Sequence, residues 1–293
     1  MEWLKITARG TTVMAAAVCV ATMWAMDRPS PEAVLTSNFG ADSGSGGPHV
    51  GDVYVGGGVV RAVETGEALF SRSVSDRASR LPSPLGEWAA IDHGDGLISL
   101  YGRLEGGKMS RLPSVVERGA MMGSAGTTGW SKERGFYYSL FDRKERQWVN
   151  PAVMESRRND GRAPVIRSVT LRDAQDRMVD ASLAKGLVQG RRTVFVSTAD
   201  YAETGEMSLA PFRIVCSLNG REVGAVALEA LSARDGRMWI YRNGLVPVEQ
   251  VYAGSFGFEL GEAVFIRGQA DMEIIVQDAN GNVQRVEYRF TVE

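Results

Sequence analysis

The sequence has few of the residues that hold transition metals in proteins. Its 293 residues include only two histidines, His49 and His93, and two cysteines, Cys19 and Cys216. A metal site built from many His or Cys ligands is therefore excluded. The chain also lacks an excess of one charge, because 33 basic side chains stand against 35 acidic ones. A phosphate backbone is bound mainly by clustered Lys and Arg, so we expect no nucleic-acid partner.

The composition is otherwise that of an ordinary globular protein. The chain is 44% hydrophobic and 23% charged, which excludes the disordered, collagen and multi-span membrane classes. A length of 293 residues allows one or two domains.

One uncharged apolar segment lies near the N-terminus. Lys5 and Arg9 precede residues 10–26, which carry no charge, and Asp27 follows them. This order is typical of a signal peptide or signal anchor, here residues 1–26. As a helix the segment would reach about 25 Å, slightly short of the roughly 30 Å hydrocarbon core. We expect export to the periplasm or cell envelope, with cleavage and membrane anchoring through residues 10–26 both left open.

The rest of the sequence predicts an all-β fold. After a Ser-, Gly- and Pro-rich linker and opening turn at 27–47, short β-branched runs alternate with glycine turns. Residues 89–93 and 97–101 flank the turn Gly94-Asp95-Gly96. Glycines tolerate the positive φ that such turns need, so this pattern predicts a hairpin.

A polar stretch at 155–164 divides the chain, and we interpret it as a hinge. Beyond it, over residues 163–293, short strands recur at regular spacing between turn residues. This pattern predicts an immunoglobulin-like β-sandwich. The region before the hinge, residues 48–155, is predicted to be a separate β-sheet domain.

Seven motifs before the hinge follow one another in the order and spacing of a known family. They are 36–40 (TSNFG), 58–66 (GVVRAVETG), 91–96 (IDHGDG), 101–104 (YGRL), 116–123 (VERGAMMG), 126–129 (GTTG) and 149–151 (VNP). Together they resemble the LytM or lysostaphin type of zinc metallopeptidase, which cleaves peptidoglycan cross-links. The resemblance implies a LytM-like (duplicated hybrid motif) β-sheet domain over residues 48–155.

The zinc ligands of that family are largely replaced in this sequence. The family uses the His and Asp of an H-x-G-x-D segment and the second His of an H-x-H strand, whose first His is the general base. The resemblance places the H-x-H strand on Tyr137-Tyr138-Ser139 and an accessory histidine on Arg103. A Ser hydroxyl is a poor zinc ligand and a Tyr phenol is a poor base at neutral pH. We therefore expect no catalytic residue, no bound metal and no cofactor.

His49 and Asp52 are remnants of the first ligand segment. They are three residues apart instead of the family's four. On a strand, a change of one residue turns the second side chain to the opposite face. Whether the two share a face stays open at this point, and two ligands alone would not hold zinc firmly.

A groove shaped for a peptide can still bind one after its chemistry is lost. By strand alternation Tyr137, Ser139 and Phe141 share one face, and that face contains both positions matched to H-x-H. Arg103 adds a positive charge that can pair with carboxylates. These four residues are the candidates for ligand binding.

Two further reactive side chains have ordinary interpretations. We expect His93 to be a turn histidine that is hydrogen-bonded to its own loop. Cys216 is expected to be a small buried hydrophobe in a strand, with no intrachain disulfide if the N-terminal segment that holds Cys19 is removed.

The resemblance leads to three hypotheses for function. The first is a catalytically inactive LytM-like envelope protein that binds peptidoglycan or regulates a cell-wall hydrolase, as amidase activators do. The second is an active zinc endopeptidase that cleaves peptidoglycan cross-links with an atypical ligand set. The third is an envelope assembly or adaptor protein that acts through the C-terminal sandwich. Metal analysis separates the second hypothesis from the other two.

Overall fold

The computed structural model describes residues 25–44, 47–73, 82–106, 112–158, 160–201 and 207–293. The segment expected to be a signal peptide or anchor lies outside these ranges, except for Ala25 and Met26. Met26 is buried, and its backbone N–H donates to the carbonyl of Met154 at 2.9 Å. Among the described residues, no helix combines the length and apolar character needed to cross a membrane.

Within the described residues, strands account for nearly all regular structure. The described part of the first region contains ten strands and one helical turn. They are β1 Val34–Ser37, β2 Asp52–Val55, β3 Val59–Arg61, β4 Gly66–Arg72, β5 Glu87–Asp92, β6 Leu97–Leu104, β7 Val115–Val116, β8 Met121–Ser124, β9 Gly135–Asp142, β10 Gln147–Val149 and α1 Pro151–Met154. As far as the structure describes it, the second region contains twelve strands. They are β11 Val165–Arg172, β12 Met178–Asp180, β13 Gly186–Leu187, β14 Gly190–Tyr201, β15 Ser208–Leu209, β16 Arg213–Leu218, β17 Arg221–Arg234, β18 Arg237–Arg242, β19 Leu245–Pro247, β20 Phe258–Phe265, β21 Gly268–Gln277 and β22 Val283–Val292. Two 3-10 turns lie at Val248–Gln250 and Gly254–Phe256. The prediction of an all-β chain is confirmed.

The first region is built on an antiparallel sheet in which β10, β9, β6, β5, β4 and β7 lie side by side in that order. β2 pairs with the beginning of β9 and β10 pairs with its end, so β2 and β10 lie along the same edge of β9. The predicted hairpin is confirmed, because β5 pairs with β6 and all three residues of the turn Gly94-Asp95-Gly96 have positive φ. Buried aromatic rings, Tyr101, Phe136 and Tyr138, dominate the core beneath this sheet.

The second region is a β-sandwich. One sheet has the order β13, β22, β21, β16, β17, and β18 and β19 continue it. The facing sheet contains β12, β11 and β14, with β20 on the other edge of β14. Ile214, Phe265 and Phe290 are among the side chains that fill the space between the sheets. Cys216 is buried here as a free thiol, and burial raises its pKa to about 12.

The two regions share one continuous sheet. β17 pairs with β16 through residues 221–227 and with β10 through residues 230–232. Asn150 extends this junction: its backbone N–H donates to the carbonyl of Glu229 at 2.9 Å, and its side chain donates to that of Leu228 at 2.7 Å. Phe39, from the opening turn of the first region, is fully buried in the core of the sandwich.

The stretch interpreted as a hinge is only partly solvated. Ser156 and Arg157 are exposed, but the side chain of Glu155 is 1% exposed and that of Arg158 is 22% exposed. Arg158 forms ion pairs with Glu155 and with Asp52 on β2. The ion pair between Arg158 and Asp52, which are more than 100 residues apart in sequence, therefore holds this stretch against the first region. The polar composition of the stretch did not predict this contact.

Candidate functional site

The pairing of β2 with β9 decides which side chains share a face. Val53 lies opposite Tyr137 and Asp52 lies opposite Tyr138. Directly paired residues of neighbouring strands point to the same side of the sheet. Val53 and Tyr137 therefore face one side, and Asp52 and Tyr138 face the buried other side.

The two positions that the sequence motifs match to the histidines of H-x-H hold Tyr137 and Ser139. The Ser139 hydroxyl bonds the Tyr137 hydroxyl, and the two side chains are 5% and 9% exposed in that order. A Cβ placed on Gly51 would lie 2.6 Å from the Tyr137 hydroxyl oxygen and 2.6 Å from the Ser139 Cβ. The Tyr137 hydroxyl thus fills the space directly above Gly51. Burial is the main reason that the pKa of Tyr137 is raised to about 12.

Arg103 lies over this tyrosine. Its guanidinium carbon is 5.7 Å from the centre of the Tyr137 ring, a cation–π distance. Its Nε is buried without a hydrogen-bond partner, and no carboxylate of the described residues forms an ion pair with it. Burial lowers the pKa of this guanidinium, while Tyr137 raises it. The backbone of Arg103 has a φ of 62°, a left-handed conformation that is uncommon for residues other than glycine.

His49 lies beside Arg103 in a short backbone bridge. Its N–H donates to the carbonyl of Ala41, and its carbonyl accepts from the N–H of Gly40, both at 2.8 Å. Burial lowers the pKa of His49, and the positive charge of Arg103 lowers it further. The carboxylates of Asp42 and Asp52 act in the opposite direction and raise the pKa of His49.

Asp52 points away from the tyrosine and serine. One carboxylate oxygen accepts from the backbone N–H of Phe39 at 2.9 Å, and the other accepts from the Tyr54 hydroxyl at 3.1 Å and from Arg158 Nη2 at 3.2 Å. Both oxygens are therefore occupied. Burial raises the pKa of Asp52, and Arg158 opposes this.

These residues do not fit a zinc centre. Such a centre needs three converging protein donors and one open position. Asp52 has both carboxylate oxygens engaged on the face of β2 opposite Tyr137, and the Tyr137 and Ser139 hydroxyls hydrogen-bond each other. Across the described ranges, no group of three His, Cys, Asp or Glu side chains could hold a metal ion. We therefore derive no chemical step that passes through a metal.

Phe141 is the fourth sequence candidate, and the structure places it away from Arg103. Its ring packs edge to face on Trp148 of β10, with ring centres 5.4 Å apart. Trp148 in turn packs against the core of the sandwich. Phe141 therefore supports the junction between the regions, while Arg103, Tyr137 and Ser139 stay together.

His93 differs from the expected turn histidine. Its Nδ1 lies 3.0 Å from the carbonyl oxygen of Thr65, in a different loop, and its Nε2 lies 2.7 Å from the Ser99 hydroxyl. That hydroxyl lies 3.0 Å from the Tyr101 hydroxyl, which accepts from the N–H of Val63 at 2.9 Å. Each group in this hydrogen-bond network has a partner, so the network holds the His93 ring between the loop of Thr65 and strand β6.

The sequence did not predict the charged cluster of Glu155 and Arg158. Both residues lie in the polar stretch, and their partners Asp52 and Tyr54 lie more than 100 residues earlier. No spacing rule connects residues so far apart. Glu155 and Arg158 stand in a run of polar residues, which gives no signal that either will be buried.

Comparison with known proteins finds a family model and several solved structures that are similar to this chain. A protein-family model matches residues 163–293, and a search of curated proteins finds no match. The catalytic domain of a mutant of the prophage-encoded M23 protein EnpA from Enterococcus faecalis is similar, with 26% identity, 43% of this chain and 94% of that chain covered, and a TM-score of 0.36.

Two further solved structures are similar at lower identity. A zinc-containing peptidase from Vibrio cholerae shares 19% identity over 46% of this chain and 40% of that chain, with a TM-score of 0.36. The antimicrobial peptidase lysostaphin from Staphylococcus simulans shares 12% identity over 91% of this chain and 98% of that chain, with a TM-score of 0.35.

Proposed function

We propose that this chain is a catalytically silent LytM-like protein of the cell envelope that binds peptidoglycan through Arg103. The observation that carries the proposal is a half-buried guanidinium with a buried, unbonded Nε and no carboxylate partner among the described residues. It lies over the tyrosine that takes the place of a metal-site histidine. A carboxylate is the natural partner for such a group, because planar guanidinium groups pair with carboxylates in a bidentate manner.

The shape of the site limits which ligand groups can enter. Tyr137 and Ser139 are nearly buried, so a ligand would contact mainly Arg103 and the edge of His49. The ligand group should therefore be a terminal or side-chain carboxylate, such as those on peptidoglycan stem peptides. Tyr137 would act as a platform that holds the guanidinium in place.

The cellular location is part of the same proposal. The uncharged segment at 10–26 favours export, and the sequence motifs shared with peptidoglycan peptidases favour the cell wall. A cell-wall hydrolase that the protein regulates is the alternative partner, and it would bind the same guanidinium through an acidic side chain.

Retention on purified peptidoglycan sacculi tests the binding site. We expect Arg103→Ala to reduce retention at least about tenfold, since a charge-assisted bidentate pair is worth about 1.5–3 kcal/mol. Arg103→Lys should recover only part of it, because an ammonium group lacks the planar pair of donors. Arg143→Ala is the matched control, because that side chain is 62% exposed and lies on a hairpin away from the site.

Equal retention of the wild type and Arg103→Ala would contradict the proposed site. A third outcome is that the sacculi retain neither protein, while the wild type stimulates a cell-wall amidase and Arg103→Ala does not. This outcome would identify the hydrolase as the partner. Release of cross-linked peptides by the wild type would instead support the active peptidase.

A further inference from the structure

A second polar site lies where the two regions meet, on the opposite face of β2 from Arg103. It is a cavity of about 50 Å³ that Glu155, Asp200 and Arg158 line, and we call it the junction cavity. A volume of this size can hold roughly three or four water-sized groups. The exposed residues Ser156 and Arg157 also line it, so it opens to the surface.

Glu155 is a buried carboxyl group with unused bonding capacity. Its side chain is 1% exposed, and neither carboxylate oxygen has a hydrogen-bond partner. The nearest cation, Arg158 Nη2, is 3.5 Å from Oε2 and is closer to the Tyr54 hydroxyl and to Asp52. A buried carboxylate without hydrogen bonds is costly, and Glu155 is one of the residues that line the cavity.

Asp200 presents a second carboxyl group to the same cavity. One of its oxygens accepts from the backbone N–H of Tyr201 at 2.9 Å. Burial raises the pKa of Asp200 to about 6, and repulsion from Asp278 and Asp160 adds to this. The positive charge of Arg162 opposes this increase.

The wall of the junction cavity is acidic as a whole. Four carboxyl groups line it against two guanidinium groups, namely Asp52, Glu155, Asp160 and Asp200 against Arg157 and Arg158. Burial raises the pKa of Glu155 to about 7, Asp52 also raises it, and Arg158 and Arg28 lower it. A guest with positive charge and several N–H donors would satisfy both the charge and the unbonded oxygens.

We propose that the junction cavity binds the primary ammonium group of a small amine through Glu155 and Asp200. An ammonium group has three N–H donors in the volume of about one water molecule, so it fits within the cavity. Water alone would supply hydrogens but no charge. The site is separate from the Arg103 site, so the two proposals can fail independently.

Isothermal titration calorimetry of the purified full chain with cadaverine at pH 8 tests the proposal. We expect saturable binding that Glu155→Gln weakens at least about tenfold, equivalent to 1.4 kcal/mol. Glu145→Gln, an exposed carboxyl group on a turn, should bind like the wild type. Tetramethylammonium, which is cationic but has no N–H, should not bind. Because protons compete for Glu155, affinity at pH 5 should be at least about tenfold lower than at pH 8.

Several outcomes would overturn the ammonium site. Absence of saturable heat with the wild type, or equal affinity of the wild type and Glu155→Gln, would each do so. Crystals soaked in cadaverine that show only water in the cavity would do so as well. If circular dichroism shows that Glu155→Gln does not fold, Asp200→Asn takes its place with the same expected loss.

Discussion

At the scale of single residues, one guanidinium serves two buried carboxyl groups. Arg158 Nη2 is 3.2 Å from Asp52 and 3.5 Å from Glu155. The pair with Asp52 is supported by the Tyr54 hydroxyl and by the Phe39 N–H. Glu155 has only the long contact, which explains why burial dominates its pKa. Removing a partner from such a cluster leaves an uncompensated buried charge.

Because Glu155 is buried with only one long contact to Arg158, we expect the stability of the fold to depend on pH. The pKa of Glu155 is about 7 in the folded chain and near 4.5 as the reference for the unfolded one. The folded state therefore binds the proton more tightly, and the stability gained is present below pH 4.5 and lost as the pH rises through 7. We expect the free energy of unfolding to fall by about 1 to 3 kcal/mol between pH 5 and pH 8.

Urea denaturation of the wild type and of Glu155→Gln at several pH values measures this effect. The variant has no titrating group at position 155, so its profile should be flatter over that range. Parallel profiles for the two proteins would show that the raised pKa does not contribute.

The sequence predicted part of the site at this scale. The spacing of His49 and Asp52 indicated that a shift of one residue could separate their faces, and Asp52 does lie on the face opposite Tyr137. The alternation rule also placed Tyr137 and Ser139 together. It could not show that Arg103 would lie over Tyr137, since that contact depends on the left-handed backbone at Arg103.

At the scale of elements, β17 is a strand that its local sequence does not predict. Its 14 residues include AVALEALSA, from 225 to 233, which is rich in good helix formers. The strand forms because β16, β10 and β18 bond to its two edges. Strand propensity depends on such neighbours, so local sequence could not predict it. The hairpin of β5 and β6 was predictable because its turn residues are adjacent in sequence.

Gly224 in β17 gives a test of this strand. A Cβ there would collide with the carbonyl oxygen of Leu260 in the facing sheet. We expect Gly224→Ala to lower the free energy of unfolding by about 1 to 3 kcal/mol through overpacking. Gly161→Ala is the matched control, because a Cβ at Gly161 meets nothing within 4 Å. Thermal unfolding followed by circular dichroism compares the two, and equal melting temperatures would argue against the close approach of β17 and β20.

At the scale of the whole molecule, the two regions share a sheet and a core. β10 pairs with β17, and Phe39 of the first region is fully buried in the sandwich. If the protein acted through the sandwich alone, as in the third functional hypothesis, the first region would be a spacer. A spacer needs few contacts with its neighbour, and this interface is extensive. A fragment of residues 163–293 would lack Phe39 and the β10 edge, so it is a poor test of the sandwich.

Phe39→Ala tests this coupling. The side chain is 0% exposed, so its removal should cost about 3 kcal/mol or more. We expect both regions to lose stability together in a single unfolding transition, since they share the sheet. Phe70→Ala is the control, because that ring is 52% exposed and its loss should cost far less. Calorimetry of the wild type is the check, and two separate unfolding transitions would show that the regions unfold independently.

The central claim is that the donors around His49 are too few to hold a hydrolytic metal, which leaves Arg103 to bind a ligand. The most direct measurement is the zinc content of the purified full chain after incubation with zinc and removal of the excess. The account predicts far less than one bound zinc per chain, with no change in His49→Ala. One zinc per chain that is lost in both His49→Ala and Asp52→Ala would contradict it.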